Sequence, residues 1–401
     1  MGDHVAGIPP QAVGRLTGSR SLDRSPLVKR LGLIVNPLAG IGGRVGLKGS
    51  DGAATVARAL ELGATPEAEQ RARAALGYLK PLGSCLEILT YAGSMGEDAA
   101  RWHQFDPVVV GRPSGGASTA SDTRAAAALM VEAGVDLILF AGGDGTARDM
   151  LAAVGPNVTV LGIPAGVKIH SAAYAINPHS AGQLAAMFLT GELQRRREAE
   201  VMDIDEDAFR AGRLSAELHG FLLVPFDERR LQPMKAGRGM SEGASVEGIA
   251  IRILASMQAS RTYLIGPGTT TQAIKNRLGP GATLLGVDVY RDGRLIKADA
   301  NERQLLEILD SSEGADAEII VTVIGGQGYI FGRGNQQLSP SVIRRIGRAN
   351  IRVVATREKL AALGLRPLLV DTGAADVDAM LSGYSRVAVD YDTDVVVPVE
   401  A

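Results

Sequence analysis

The chain is short of several residue types, and each shortage narrows its function. Of 401 residues only Cys85 is a cysteine, which excludes an internal disulfide and any cysteine-cluster metal site. Aromatic residues make up 4%, too few for the stacking platforms that hold single-stranded nucleic acid. Neither sign of charge prevails, since 42 lysines and arginines against 44 aspartates and glutamates leave a net charge of −2. No global basic field draws nucleic acid or anionic lipid, so any bound anion relies on local groups. Residues 1–30 hold Gly, Pro, Ser and Arg without an uninterrupted apolar run. They fit neither a secretory signal nor a membrane span and read as a flexible extension of a cytoplasmic protein. Also missing is a G-x-x-x-x-G-K-[ST] loop, which excludes a P-loop kinase.

Glycine, by contrast, is abundant: 50 of 401 residues, against an average of about 7% and without a G-X-Y period. Many of these glycines follow apolar runs. The run Leu137 to Ala141 reads as a strand of a buried parallel sheet, and it ends in Gly142, Gly143, Asp144, Gly145 and Thr146. The three glycines are expected to take positive φ and approach a ligand, with Thr146 capping the next helix. The helix N-terminus would then face an anion, such as a phosphate. Asp144 is the one group in this turn able to accept a proton or hold a magnesium ion.

Strand and helix alternate through the first half. Leu31 to Asn36 reads as a strand closed by Pro37 and by a loop holding Gly40, Gly42, Gly43, Gly46 and Lys48. Thr65-Pro66-Glu67 reads as the start of a helix running to about Lys80. Val158 to Ile163 delivers a loop with Lys168 and His170 at the ligand edge of the sheet. The pattern predicts an α/β fold, with an open, mostly parallel Rossmann-like N-terminal sheet and a β-rich mixed second domain. The expected boundaries are a 1–30 extension, a 31–193 nucleotide-binding domain, a 194–370 second domain, and a 371–401 segment able to return to the first domain. Gln194 to Arg197 reads as a solvated helix end or linker, followed by antiparallel strands. Residues 226–245, with Lys235 and Arg238, read as a long loop able to cross the cleft.

Further glycine turns follow later strands: Gly268 with Thr269 and Thr270, Gly326, and a loop with Arg333 and Asn335. Arginine and asparagine there suit phosphate or ribose, or equally the bracing of an irregular loop. Asn36 also fits a plain Asx turn, His170 a structural hydrogen bond, and Thr269 and Thr270 helix caps. Asn301 with Gln304 reads as a capping box.

VNP, a glycine loop and then GGDGT resemble the superfamily joining NAD kinases, diacylglycerol-type lipid kinases and phosphofructokinases. The longer stretches LIVNPLAGIGGRVGLKGSDG, PAGVKIHSA, IGPGTTT and GGQGYIFGRGNQQLSP resemble the ATP-NAD kinase family, in the branch that includes the acetoin-catabolism X proteins. The resemblance spans about residues 31 to 345. It implies phosphoryl transfer from ATP or polyphosphate, with Mg²⁺, to the adenosine ribose 2′-hydroxyl of NAD, and it gives Asp144 the role of base. No residue is assigned as a metal ligand. The partners implied are ATP and NAD, with no nucleic acid or membrane, and a homo-oligomer is expected. Where NAD kinases carry a glycine–asparagine segment, this chain has Pro164, Ala165 and Gly166. Two other readings stay open: a kinase for a lipid or other small hydroxyl metabolite, and a non-catalytic nucleotide-binding regulator.

Overall fold

The computed structural model describes residues 28–47, 53–115, 118–155, 158–167, 169–204, 216–227, 230, 242–311, 316–364 and 366–401. Its first sheet has five strands, β1 (Lys29–Val35), β2 (Leu86–Tyr91), β3 (Val108–Gly111), β4 (Leu137–Gly142) and β5 (Val160–Pro164). They lie in the order β3-β2-β1-β4-β5, and every pairing is parallel. Leu31, Leu33, Ile34 and Val35 of β1 and all of Leu137 to Ala141 in β4 are fully buried. Both faces of these strands are covered, which is why they read as continuous apolar runs rather than alternating ones.

Helices α1 (Ala53–Glu61), α2 (Ala68–Leu76), α3 (Glu97–Trp102), α4 (Ala120–Glu132), α5 (Asp144–Val154) and α6 (Pro178–Thr190) connect or follow these strands. Helix α2 packs with α6, and α4 with α5. A Thr119–Asp122 capping box starts α4, and Asn177, with Pro178 behind it, starts α6. Helix α2 begins later than Thr65-Pro66 suggests. Its N-cap is Glu67 without a side-chain cap, and the Glu67 carboxylate instead pairs with Arg44 of the first glycine loop at 2.5 Å. The order of the sheet reverses direction between β1 and β4, and this switch point is where open parallel sheets bind ligands.

Residues Gln194 to Arg197 are not a helix end. Arg196 and Arg197 begin β6 (Arg196–Ile204), which forms an antiparallel hairpin with β7 (Ala216–Pro225). The guanidinium groups of Arg195 and Arg197 lie 5.1 and 4.9 Å from the Phe226 ring, so their charge is carried over an aromatic face. The hairpin packs on the first domain. Ala199, Val201, Leu222 and Val224 join the first core, and Ala172 donates its N–H to Glu200 O at 2.9 Å.

The second sheet has nine strands. These are β8 (Thr262–Ile265), β9 (Asp288–Arg291), β10 (Arg294–Lys297), β11 (Ala317–Thr322), β12 (Tyr329–Phe331), β13 (Ile351–Val354), β14 (Leu368–Val370), β15 (Gly383–Ala388) and β16 (Asp394–Glu400). Their order is β10-β9-β8-β11-β13-β15-β16-β14-β12. Strands β8, β11, β13 and β15 form a parallel run, while β9 and β16 pair antiparallel to their neighbours β8 and β15. The mixed sheet follows the sequence expectation. The 371–401 segment, however, supplies β15 and β16 to this second sheet, where they lie between β13 and β14. It touches the first domain through Asp371, which pairs with Arg71 of α2 at 2.8 Å.

Candidate active site

The site is built at the switch point. Asn36 follows the last residue of β1, and its Nδ2 donates to Thr146 Oγ1 at 3.0 Å. Its Oδ1 accepts the Leu38 N–H at 3.2 Å, so the same side chain makes the Asx turn and ties it to the loop after β4. The first glycine loop then packs against the loop after β5. Gly40 has φ +75°, and a Cβ there would stand 2.0 Å from Ala165 O, a position only glycine fills.

The GGDGT turn gains closeness from its glycines rather than positive φ, which Gly142, Gly143 and Gly145 do not have. A Cβ on Gly142 would lie 2.4 Å from the Thr146 side chain, and one on Gly143 would lie 3.2 Å from Gly166 Cα. Gly142 O accepts the N–H groups of Ala165 and Gly166 at 2.9 and 3.0 Å. Thr146 is not the cap. Gly143 is the N-cap of α5 and Asp144 its first residue, so Thr146 lies one turn in, where it accepts from Asn36.

Asp144 is buried at 9% exposure and its carboxylate is surrounded by donors from the loop after β5. Oδ2 accepts the His170 backbone N–H at 2.8 Å and faces His170 Nδ1 at 3.2 Å. Oδ1 accepts the Ser171 backbone N–H at 3.0 Å and the Ser171 hydroxyl at 2.6 Å. That hydroxyl has a second acceptor in Met202 O at 3.0 Å and itself accepts the Met202 N–H at 3.1 Å. The positive end of α5 also favours a carboxylate here. Tyr174 lies beneath the turn and donates its hydroxyl to Gly143 O at 2.6 Å. Burial first, and then the Asp144 charge, push the Tyr174 phenol well up.

Two loops of the second domain close over this one. Gln327, between Gly326 and Gly328, donates Nε2 to Ile169 O at 2.8 Å. Gly334 N and Gln336 Nε2 both donate to Val167 O, at 3.0 and 2.9 Å. Gln336 also meets the first glycine loop, with its Cβ 3.3 Å from a Cβ built on Gly43. Gly42 and Gly43 are buried in that contact. Arg333 is buried beside Asp371, with Nη2 3.4 Å from the carboxylate. Asn335 is used within its own loop, accepting the Gly332 N–H at 3.1 Å and donating to Ile330 O at 2.9 Å.

The turn at Gly268 is built separately. Gly268 caps α8 (Thr269–Leu278), the helix after α7 (Glu242–Ser256), and Thr270 Oγ1 accepts from Lys359 Nζ at 2.8 Å, beside Thr322 of β11. Asn301 caps α9 (Glu302–Asp310) through the expected box with Gln304. Lys48, Lys168, Lys235 and Arg238 lie outside the described residues. Sequence reasoning passed over Ser171, Tyr174, Gln327, Arg71 and Asp371. Ser171 sits inside the PAGVKIHSA stretch and was findable there. Arg71 and Asp371 stand 300 positions apart, and no local pattern marks either.

Family comparisons cover both domains. The ATP-NAD kinase N-terminal domain matches residues 31–193, and the ATP-NAD kinase C-terminal domain matches residues 272–399. This chain belongs to the ATP-NAD kinase family. The N-terminal match ends just before the β6–β7 hairpin, and the C-terminal match starts inside α8, so the hairpin and the Gly268 turn lie between the two family domains. Asp144 and both first-domain glycine loops fall within the first match, and Gln327, Arg333 and Asp371 within the second. No curated protein matches the sequence. No described helix is long and apolar enough to cross a membrane.

Proposed function

We propose that this protein transfers a phosphoryl group from ATP or polyphosphate to the adenosine ribose 2′-hydroxyl of NAD, giving NADP. The observation that supports the reading is the Asp144 carboxylate, held at the N-terminus of α5 by the loop after β5. Asp144 takes the proton of the acceptor hydroxyl as that oxygen attacks the terminal phosphorus and ADP, or the shortened polyphosphate, leaves. A carboxylate offers about four lone-pair sites, and four donor groups already surround this one. The His170 ring makes the longest of the four contacts, at 3.2 Å, and it is the group an incoming hydroxyl displaces. The two backbone N–H groups stay and fix the carboxylate in place. Loops from both domains then exclude water around the transferring group, which strengthens each electrostatic contact.

Mg²⁺ in such a reaction neutralises charge on the donor phosphates. Among the described residues no group of three or more His, Cys, Asp or Glu is placed to hold a metal ion. The ion is carried in by the donor phosphates, with Asp144 the nearby carboxylate. The test is NADP formation by purified protein with Mg²⁺ and each donor in turn. Absence of NADP with both donors would sink the reading.

A further inference from the structure

We propose that Arg333 is a phosphate receptor in the cleft beside Asp144, an inference that rests on reading this cleft as the nucleotide site. Arg333 is 3% exposed, yet its Nε and Nη2 have no hydrogen-bond partner among the described residues. Those two nitrogens form the side-on edge of the guanidinium fork, the edge that takes two oxygens of one carboxylate or phosphate. Asp371 does not fill it. Nη2 stands 3.4 Å from Asp371 Oδ2, and that oxygen is already paired with Arg71 Nη1 at 2.8 Å. The guanidinium carbon lies 5.1 Å from the Tyr329 ring centre, so one face is packed against the ring.

A buried cationic donor without acceptors is costly, more so than a neutral one. Arg71, by contrast, donates to Pro164 O at 3.1 Å. The position of Arg333 gives the ligand its identity. A Cβ on Gly332 would stand 1.8 Å from Asp371 O, so glycine brings the backbone of this loop against Asp371. Gly334 and Gln336 then anchor the loop to Val167, three residues before the His170 N–H that holds Asp144. Gln327 ties the neighbouring turn to Ile169 O, beside the same His170 N–H. The loop that carries Arg333 is thus anchored on the loop that holds the base, and the anion that fits is a phosphate of the nucleotide. Two sources share that chemistry: the polyphosphate chain of the donor and the pyrophosphate of the dinucleotide.

Calorimetric binding separates these sources without requiring turnover. The probes are inorganic tripolyphosphate, ATP and NAD, titrated into wild type, Arg333→Met and Arg333→Lys below their unfolding transitions. Arg333→Met leaves Asp371 its Arg71 partner, so the ligand-free protein is expected to stay folded at the assay temperature. Loss of two charge-assisted hydrogen bonds should weaken the affected probe by about tenfold or more, and Arg333→Lys, which keeps charge without the fork, should recover part of the loss. Weakened tripolyphosphate and ATP place the donor at Arg333, and weakened NAD alone places the dinucleotide there. Affinities for all three probes within about twofold of wild type in both variants would overturn the proposal. A lack of NADP formation would bear on the proposed reaction and leave this binding result standing.

Discussion

Arg71 of α2 donates Nη1 to Asp371 Oδ2 at 2.8 Å and to Pro164 O at 3.1 Å, joining the second domain to the end of β5 through one side chain. Burial works to lower the Arg71 guanidinium pKa, and the Asp371 charge and hydrogen bond, with Glu67 and Tyr329, together outweigh it and leave it raised. Arg71→Met would leave Asp371, at 6% exposure, with Arg333 at 3.4 Å as its remaining cation among the described residues. Removing one member of a buried pair costs about 3–5 kcal/mol. Urea unfolding should show a loss of that size, and a loss well under about 1 kcal/mol would place the pair among the weak surface bridges.

Asp144→Asn should lower the rate constant for NADP formation by about 10²–10⁴-fold, the usual contribution of a positioned base. The His170 ring is expected to matter much less, because its removal leaves both backbone N–H groups on the carboxylate. Steady-state kinetics of Asp144→Asn and His170→Ala side by side would decide. Equal activity of Asp144→Asn and wild type removes Asp144 from the proposed mechanism.

Gly40→Ala combines a clash with strain, since the added Cβ meets Ala165 O at 2.0 Å and the residue sits at φ +75°. Left-handed strain alone is worth about 1–3 kcal/mol. Both the melting temperature and nucleotide affinity should fall, because the loop after β5 that holds Asp144 must shift. A variant with wild-type melting and wild-type affinity would show that the two loops are not in register in solution.

Asp122 gives a pH-dependent prediction. The Thr119 hydroxyl, then the Ser114 N–H, hold its carboxyl below the ordinary aspartate value. A group whose pKa is depressed on folding adds stability above its unfolded value and loses it as pH falls through the folded one. Asp122→Ala should therefore be less stable than wild type at neutral pH by about 1 kcal/mol, the usual worth of a cap interaction. The two proteins should converge in strong acid. Denaturation midpoints measured along the acid limb test this, and parallel curves would contradict it.

The buried pair Lys275–Asp288, 2.8 Å apart with neither side chain exposed, offers a stability test away from the cleft. Lys275 also donates to Thr283 O and Gly286 O at 3.0 Å each. Lys275→Met should destabilise the protein by about 3–5 kcal/mol, read by denaturation, while leaving nucleotide affinity unchanged. A matching loss of affinity would connect this loop to the cleft.

The sequence by itself determined the first sheet, because strands buried on both faces must be apolar throughout and Leu31 to Val35 and Leu137 to Ala141 can be little else. It also marked the cap at Asn301, where a side-chain oxygen satisfies the N–H three residues on, and it pointed to Asp144 through the glycines around it. The tertiary structure decided what those glycines are for: closeness to Thr146 and Gly166 in place of positive φ. It alone assigned the β6–β7 hairpin to the first core and the last two strands to the second sheet, since an alternating pattern names a buried face but not what buries it. It alone brought Arg333, Arg71 and Asp371 together. Ion pairs and orphaned donors depend on the distance between side chains in space, and a separation of 300 residues leaves no periodicity from which to read them.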